Sequence, residues 1–323
     1  MKDEMSLSEH IGVLMGGPSS ERPISLKSGK AVYEALGSSG CHVSAIDIPS
    51  SDVDEIIAIL KNAKIDIAFI ALHGQLGEDG VIQSILEKLH IPYTGPGVKS
   101  SQLAMNKILA QNIFKQNHIP VPPFRVVNKN NKRSLQTAVI TIDNYPVMVK
   151  PASQGSSIGI TLVENKNDLA AAVEKALEYD GEVLIERYIR GKELTVGILD
   201  DRPLPVIEIR PHAKFFDFTA KYESGTTEYI IPAQLPDDVA RRVQKMAWDA
   251  FCALRCRDLS RVDIMLDDEQ NPFVIEINTI PGFTATSLLP KAAKVMGIDF
   301  PQLCLTIVQL AYRRKKVPET SGV

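Results

Sequence analysis

No disulfide framework can be read from this sequence. Its four cysteines, Cys41, Cys252, Cys256 and Cys304, lie scattered over 323 residues, a usage that suits a reducing compartment. Cys252 and Cys256 stand at helical i,i+4 spacing, yet no His/Cys pair follows at zinc-site spacing, so both are expected as small core residues on a buried helix face. An excess of one charge is also missing. The net charge is −3, which leaves no electrostatic footprint for nucleic acid or an anionic membrane. The longest apolar runs, such as Ile65 to Leu72, are strand-sized and too short to span a bilayer. The opening Met1-Lys2-Asp3-Glu4-Met5 is acidic and leads into no apolar segment, so no signal peptide is expected and the cytoplasm fits. No internal repeat is visible. What remains, with 44% hydrophobic and 23% charged residues, is the composition of a globular protein long enough for two or three domains.

From residue 10 onward, short apolar runs alternate with amphipathic stretches. Ile11–Met15, Cys41–Ile48, Ile65–Leu72 and Ile91–Thr94 read as strands; Leu26–Leu36, Val53–Lys61 and Val81–His90 carry apolar residues at three- and four-residue intervals and read as helices. This order predicts an α/β unit with a parallel sheet, ending near the turn Thr94-Gly95-Pro96-Gly97. Beyond it the pattern is α+β. One helix is expected over Ser100–Asn117, then strands at Pro146–Lys150 and Ile158–Val163, a helix at Asp168–Tyr179 and a strand at Val183–Ile189. A hairpin follows (Leu194–Leu199 and Pro205–Ile209), then an aperiodic, aromatic-rich stretch over 211–230 that suggests an ordered lid. A helix at Pro236–Cys256, a hairpin (Arg261–Leu266 and Phe273–Asn278) and a helix at Pro301–Arg313 complete the expectation.

Four stretches carry chemistry. Gly16-Gly17-Pro18-Ser19-Ser20-Glu21 follows the first strand; Ser19 or Ser20 could cap the next helix, with Glu21 near its positive end. It has the spacing of neither a dinucleotide fingerprint nor a Walker A loop, so an ordinary βα turn is an equal reading. His73-Gly74-Gln75-Leu76-Gly77-Glu78-Asp79-Gly80 ends a strand, where open parallel sheets bind ligands, and its glycines suggest close approach of backbone to ligand. Lys150, at a strand end beside Gln154-Gly155-Ser156-Ser157-Ile158-Gly159, suits a loop covering nucleotide phosphates, with Lys107 as a second cation. Finally, Arg261-Val262-Asp263 and Glu276-Ile277-Asn278 stand on paired strands. Alternation puts Glu276 and Asn278 on one face, and antiparallel pairing brings Asp263 beside them. Two carboxylates and an amide, without Cys or His, form the hard-oxygen set that Mg²⁺ takes alongside phosphates.

Taken in order, Gly16-Gly17-x-Ser19-x-Glu21, His73-Gly74-x-x-Gly77-Glu78-Asp79-Gly80, Lys150-Pro151 with Gly155-Ser156-Ser157, Lys221-Tyr222, Arg261-x-Asp263 and Glu276-x-Asn278-Thr279-x-Pro281-Gly282-x-Thr284 with Ser287 resemble the D-alanine–D-alanine ligase family, over about residues 11–290. The resemblance implies the ATP-grasp fold in three domains: 1–97, 98–185 and 186–323, the last carrying the metal site and the lid 211–230. It implies ATP-dependent joining of two D-alanines through an acyl phosphate, for peptidoglycan precursor synthesis. Two Mg²⁺ ions, with Mn²⁺ as a substitute, would be held by Asp263, Glu276 and Asn278. ATP would be contacted by Lys107, Lys150, Ser156, Ser157 and Lys221, with Glu186, Arg187 and Ile189 at the adenine and Glu193 at the ribose. Glu21 would bind the ammonium of the first D-alanine, His73 would contribute to substrate binding, and Ser287 and Leu288 would hold the carboxylate of the second. Arg261 and the Gly282 N–H would stabilise the oxyanion, and Glu21, Ser156 and Tyr222 would form a hydrogen-bonded chain. Tyr188 stands where many relatives have Trp, and Phe216 where many have Tyr. Tyr222 favours the dipeptide, since relatives that use D-lactate tend to carry Phe there. A homodimer is implied by the family alone; a depsipeptide ligase and a non-catalytic nucleotide-binding scaffold are the rival readings.

Overall fold

The computed structural model describes residues 9–155, 158–211 and 227–316, and three sheets organise them. The first is parallel, in the order β2-β1-β3, from β1 (His10–Gly16), β2 (His42–Ile48) and β3 (Ile67–Ile70). Side chains alternate across a strand. Ile11, Val13 and Met15 therefore share a core with Val32 and Leu36 of α1 (Arg22–Ser38). Leu14 instead meets Ile56 of α2 (Val53–Ala63) and Ile82 of α3 (Val81–Lys88) on the other face. The strand expected at Ile91–Thr94 is reduced to one bridge, Ala68 with Tyr93; Pro92 has no N–H with which to extend a ladder.

Ser100–Asn117 is two helices rather than one. α4 (Val98–Met105) and α5 (Lys107–Gln116) meet at Asn106, whose backbone is extended (φ −90°, ψ 102°) and whose side chain accepts from the Leu109 N–H to cap α5. A good N-cap residue thus outcompetes helix continuation, and the break leaves Lys107 in the first turn of α5.

The second sheet is antiparallel, in the order β4-β7-β5-β6, from β4 (Phe124–Asn128), β5 (Val147–Pro151), β6 (Thr161–Val163) and β7 (Glu182–Arg187). Helices α6 (Lys132–Thr141) and α7 (Leu169–Ala176) cover one face. Neither β4 nor α6 is signalled by the sequence, because prolines precede the one and polar residues open the other. The third sheet comprises β8 (Gly191–Leu199), β9 (Arg202–Pro203), β10 (Ile207–Pro211), β11 (Thr227–Ile230), β12 (Leu259–Asp267) and β13 (Pro272–Asn278), in the order β11-β10-β8-β12-β13 with β9 on β8. Residues 227–230 are therefore strand rather than the end of a loop; the remainder of the expected lid, 212–226, lies outside the described residues.

On the third sheet, α8 (Asp237–Ala253) buries Val239, Val243, Ala247 and Ala250 against Val196, Ile264 and Val274, and Ala110 and Phe114 of α5 join that core. That stripe turns Cys252 outward, and Cys256 lies past the helix end. Neither is the buried helix-face residue expected, although burial still pushes the Cys256 thiol up to about 12. α9 (Leu288–Val295) is missed by the sequence reading because of Pro290, which is tolerated in a first turn whose N–H groups have no partner. α10 (Phe300–Lys316) returns over the first sheet and packs Leu303, Ile307 and Val308 into the α1 core. There Arg314 pairs with Asp258 and also donates to the Tyr93 carbonyl at 2.5 Å, while the Gly95 N–H donates to Asp258 at 2.9 Å. Burial pushes the Asp258 carboxyl up, against the opposing pull of Arg314. Among the described residues, no single helix is long and apolar enough to cross a membrane.

Candidate active site

The second and third sheets face each other across a cleft of about 400 Å³. The chain passes from one to the other between β7 and β8, where Gly191 has φ +138° and any Cβ would sit 2.0 Å from the Leu266 carbonyl oxygen, so only glycine fits. Met148, Lys150 and Glu186 look into the cleft from one side, and Glu193, Asp263 and Glu276 from the other.

On the floor, Asp263 stands directly opposite Glu276, and Arg261 opposite Asn278. Simple alternation along Val274-Ile275-Glu276-Ile277 would put Val274 on the same face as Glu276. The structure inserts a β-bulge instead: Asp263 pairs with Glu276 but Ile264 pairs with Val274, leaving Ile275 as the extra residue. Val274 and Ile277 can then both be buried, at 0% and 4% exposure, while Glu276 reaches the cleft. Asp263 is engaged by Arg261 through two bonds (Nε to Oδ1 2.9 Å, Nη2 to Oδ2 2.8 Å), by the Thr195 hydroxyl at 2.7 Å and by Asn278 Nδ2 at 3.1 Å. Lys107 Nζ lies 3.3 Å from Glu276 Oε2. Among the described residues no group of three His, Cys, Asp or Glu gathers for a metal. The set here is two carboxylates and an amide balanced by cations. That composition fits a hard divalent cation whose remaining positions are filled by phosphate oxygens.

Lys107 also donates to the Gln154 carbonyl at 2.6 Å, which ties α5 to the glycine-serine loop. Lys150 forms a buried pair with Glu186, and Gln111 Nε2 donates to the other Glu186 oxygen at 2.9 Å. Arg187 is exposed, lies over the Phe273 ring and lines the cleft together with the buried Ile189. Ser156, Ser157, Lys221 and Tyr222 lie outside the described residues.

At the mouth, the expected serine cap of α1 is not made: Glu21 occupies the cap position, and Ser19 Oγ donates to the His73 carbonyl at 2.8 Å while accepting from the Glu21 N–H. The glycines of 73–80 let other parts of the protein approach closely. Gly74 has φ +68°, and a Cβ there would lie 2.6 Å from Glu21 Oε2. A Cβ on Gly155 would lie 3.5 Å from the same oxygen. The largely buried Glu21 carboxylate therefore reaches the loop that follows β5. His73 is 3% exposed and both its ring nitrogens are engaged, Nδ1 with the Ile280 carbonyl (3.2 Å) and Nε2 with Ser28 Oγ (3.1 Å), so it sits behind the site rather than in it. Ser287 precedes α9. Its N–H donates to Thr284 O and its hydroxyl accepts from the Thr284 N–H, leaving the Leu288 and Leu289 N–H groups without an intrahelical acceptor at the helix start.

The sequence reading misses Ser28, Gln111, Thr195 and Glu208. Each had a signal. Ser28 continues a helical polar stripe from Glu21 and Ser25, Gln111 is one turn from Lys107, and Thr195 shares a strand face with Glu193. Burial alone would raise the Glu208 carboxyl; hydrogen bonds and charge from Arg210 (2.7 Å) and Lys192 (3.1 Å) outweigh it and hold it below the usual range.

Two antiparallel sheets gripping a cleft, with a parallel-sheet unit at its mouth, define an ATP-grasp protein. Family models described as D-ala D-ala ligase C-terminus and D-ala D-ala ligase N-terminus match residues 113–309 and 51–96. The D-alanine–D-alanine ligase of Geotalea uraniireducens is 45% identical over 309 residues, 96% of this chain and 97% of its own. That of Pelotomaculum thermopropionicum is 46% identical, covering 93% and 96%. Among solved structures, the Bacillus anthracis D-alanine–D-alanine ligase complexed with ATP superposes with a TM-score of 0.82 at 35% identity, covering 96% of this chain and 99% of its own. The VanG D-Ala:D-Ser ligase of Enterococcus faecalis gives 0.82 at 31%, covering 94% and 99%. The chain belongs to the D-alanine–D-alanine ligase family.

Proposed function

We propose that this protein joins two D-alanine molecules into D-alanyl-D-alanine at the expense of ATP, with the dipeptide destined for peptidoglycan precursors. The observation that carries the reading is the convergence at one cleft of Asp263 opposite Glu276, the Lys107 and Lys150 cations, and Glu21 entering beside Gly155. ATP lies between the two antiparallel sheets, its adenine at Glu186 to Ile189 and its ribose at Glu193. Lys107 and Lys150 leave their carboxylate partners for the phosphates, joined by Ser156, Ser157 and Lys221. Asp263, Glu276 and Asn278 would hold two Mg²⁺ ions, for which Mn²⁺ could substitute, and the bound ions would supply positive charge for the phosphoryl transfer.

The first D-alanine places its ammonium at Glu21 and its carboxylate toward the γ-phosphate. A free carboxylate is a poor electrophile; phosphorylation turns it into an acyl phosphate with a good leaving group. The amine of the second D-alanine, its carboxylate held by Ser287 and the Leu288 N–H, attacks that carbonyl, and Arg261 and the Gly282 N–H stabilise the oxyanion. Arg261 must share its guanidinium with Asp263, which it already holds in register. Glu21, Ser156 and Tyr222 link the substrates through hydrogen bonds, and closure of the stretch between β10 and β11 excludes the water that would hydrolyse the acyl phosphate. The three-domain division at 97 and 185, a homodimer and a cytoplasmic location belong to the same reading.

The test offers ATP, D-alanine and D-lactate together and identifies products by mass. Release of ADP that depends on D-alanine, with D-alanyl-D-alanine as the main product, is expected. ADP release indifferent to D-alanine overturns the ligase reading, and D-alanyl-D-lactate as the main product overturns the substrate.

A further inference from the structure

The turn Ile280-Pro281-Gly282-Phe283 is tied at both ends to residues more than two hundred positions away, in the first domain. The Phe283 N–H donates to Ser28 Oγ at 3.3 Å, Ser28 Oγ contacts His73 Nε2 at 3.1 Å, and His73 Nδ1 contacts the Ile280 carbonyl at 3.2 Å. Directions follow from the end groups. A carbonyl only accepts, so Nδ1 carries the proton in the neutral ring; Nε2 then accepts from the Ser28 hydroxyl, whose lone pair accepts from Phe283. Every polar atom of the relay is used, and Ser28 and His73 are 1% and 3% exposed. Phe69 packs on the Phe283 ring at 5.6 Å between centroids, so the turn is fixed by apolar contact as well. Glu78 braces the relay, accepting from the Gly74 N–H at 3.0 Å and lying 3.5 Å from His73 Nδ1.

We infer that Ser28, acting with His73, is a positioning residue for the second half-reaction: it fixes the turn so that the Gly282 N–H meets the oxyanion formed when the amine attacks the acyl phosphate. The inference rests on the ligase reading given above. Ser28 touches neither substrate nor nucleotide in this role. Binding of ATP and phosphorylation of the first D-alanine use Lys107, Lys150, Asp263 and Glu276, with Glu21 at the substrate ammonium, whereas the hydrogen bonds of the relay run between Ser28, His73, Ile280 and Phe283. Loss of the relay therefore slows capture of the acyl phosphate while leaving its formation intact. The stranded intermediate then reacts with water, returning D-alanine and inorganic phosphate, so ATP is consumed without peptide.

The experiment measures ADP and dipeptide released by the full-length protein and by Ser28→Ala, Ser28→Cys and Ser28→Thr. Wild type should release the two in parity. Ser28→Ala should form dipeptide about 10- to 100-fold more slowly, as expected for a misaligned oxyanion donor, with ADP in clear excess over dipeptide and an unchanged KM for ATP. Ser28→Cys, near in size but a weak donor and acceptor, should uncouple in the same sense if the alanine variant folds poorly. Ser28→Thr keeps the hydroxyl and should restore parity. Slower turnover with ADP and dipeptide still in parity in both Ala and Cys variants would overturn the assignment and leave Ser28 a packing residue. Wild type that releases no ADP in response to D-alanine would instead overturn the underlying ligase reading.

Discussion

Replacing Gly74 by Ala is a probe of how tightly the first-substrate site is built. Gly74 has φ +68°, a region that costs a residue with a Cβ roughly 1–2 kcal/mol. The added Cβ would also stand 2.6 Å from Glu21 Oε2, where ordinary contact begins at 3.4 Å, so the carboxylate must retreat by about 0.8 Å. Ser19 Oγ, at 3.2 Å from the same Cβ position, is crowded too. If Glu21 orients the substrate ammonium, a displacement of about 1 Å is enough to cost on the order of 100-fold in rate. The expected outcome is a kcat/KM for D-alanine lowered by about 10- to 100-fold, with the KM for ATP within about twofold of wild type. Gly155→Ala is the matched control: its Cβ would sit at an ordinary 3.5 Å from the same oxygen and should not displace it. Steady-state kinetics with each substrate varied, together with a melting curve, decide the matter. A folded Gly74→Ala protein with an unchanged kcat/KM for D-alanine would refute the placement of the ammonium at Glu21.

Three further substitutions test separate parts of the structure. Glu276→Gln removes one of two facing carboxylates and should nearly abolish ligation without unfolding the protein; turnover within a few-fold of wild type at saturating Mg²⁺ counts against the metal site. Arg261→Ala should depress kcat by roughly 100- to 1,000-fold if the guanidinium serves the oxyanion; an effect confined to the KM for ATP would move Arg261 to nucleotide binding. Arg314→Ala strands the buried Asp258 and should cost about 3–5 kcal/mol at neutral pH. Burial raises the Asp258 carboxyl in the folded protein, so this loss should shrink as pH falls and the carboxyl takes up a proton; a penalty equal at pH values near 5 and 7.5 by denaturant unfolding would contradict that account.

Local chemistry was readable from the chain. Alternation of apolar and amphipathic runs determined the parallel first sheet, because period and turn residues are properties of neighbours in sequence. Residue types alone gave the hard-oxygen set Asp263, Glu276 and Asn278, the paired lysines and the acidic Glu21, and their order carried the family resemblance. Tertiary structure decided what depends on partners distant in sequence. The bulge at Ile275 arises because α8 needs both Val274 and Ile277 for its core, a demand invisible along β13 itself. Asn106 breaks a long helix because its cap is worth more in the folded packing of α5 than continuity would be. β11 exists only because β10 offers it an edge. In sequence His73 reads either as a satisfied loop histidine or, by the family resemblance, as a substrate contact. Only the fold brings Ser28 and Ile280 to its two nitrogens and makes it a brace, since contacts across 45 and 207 residues leave no local pattern to read.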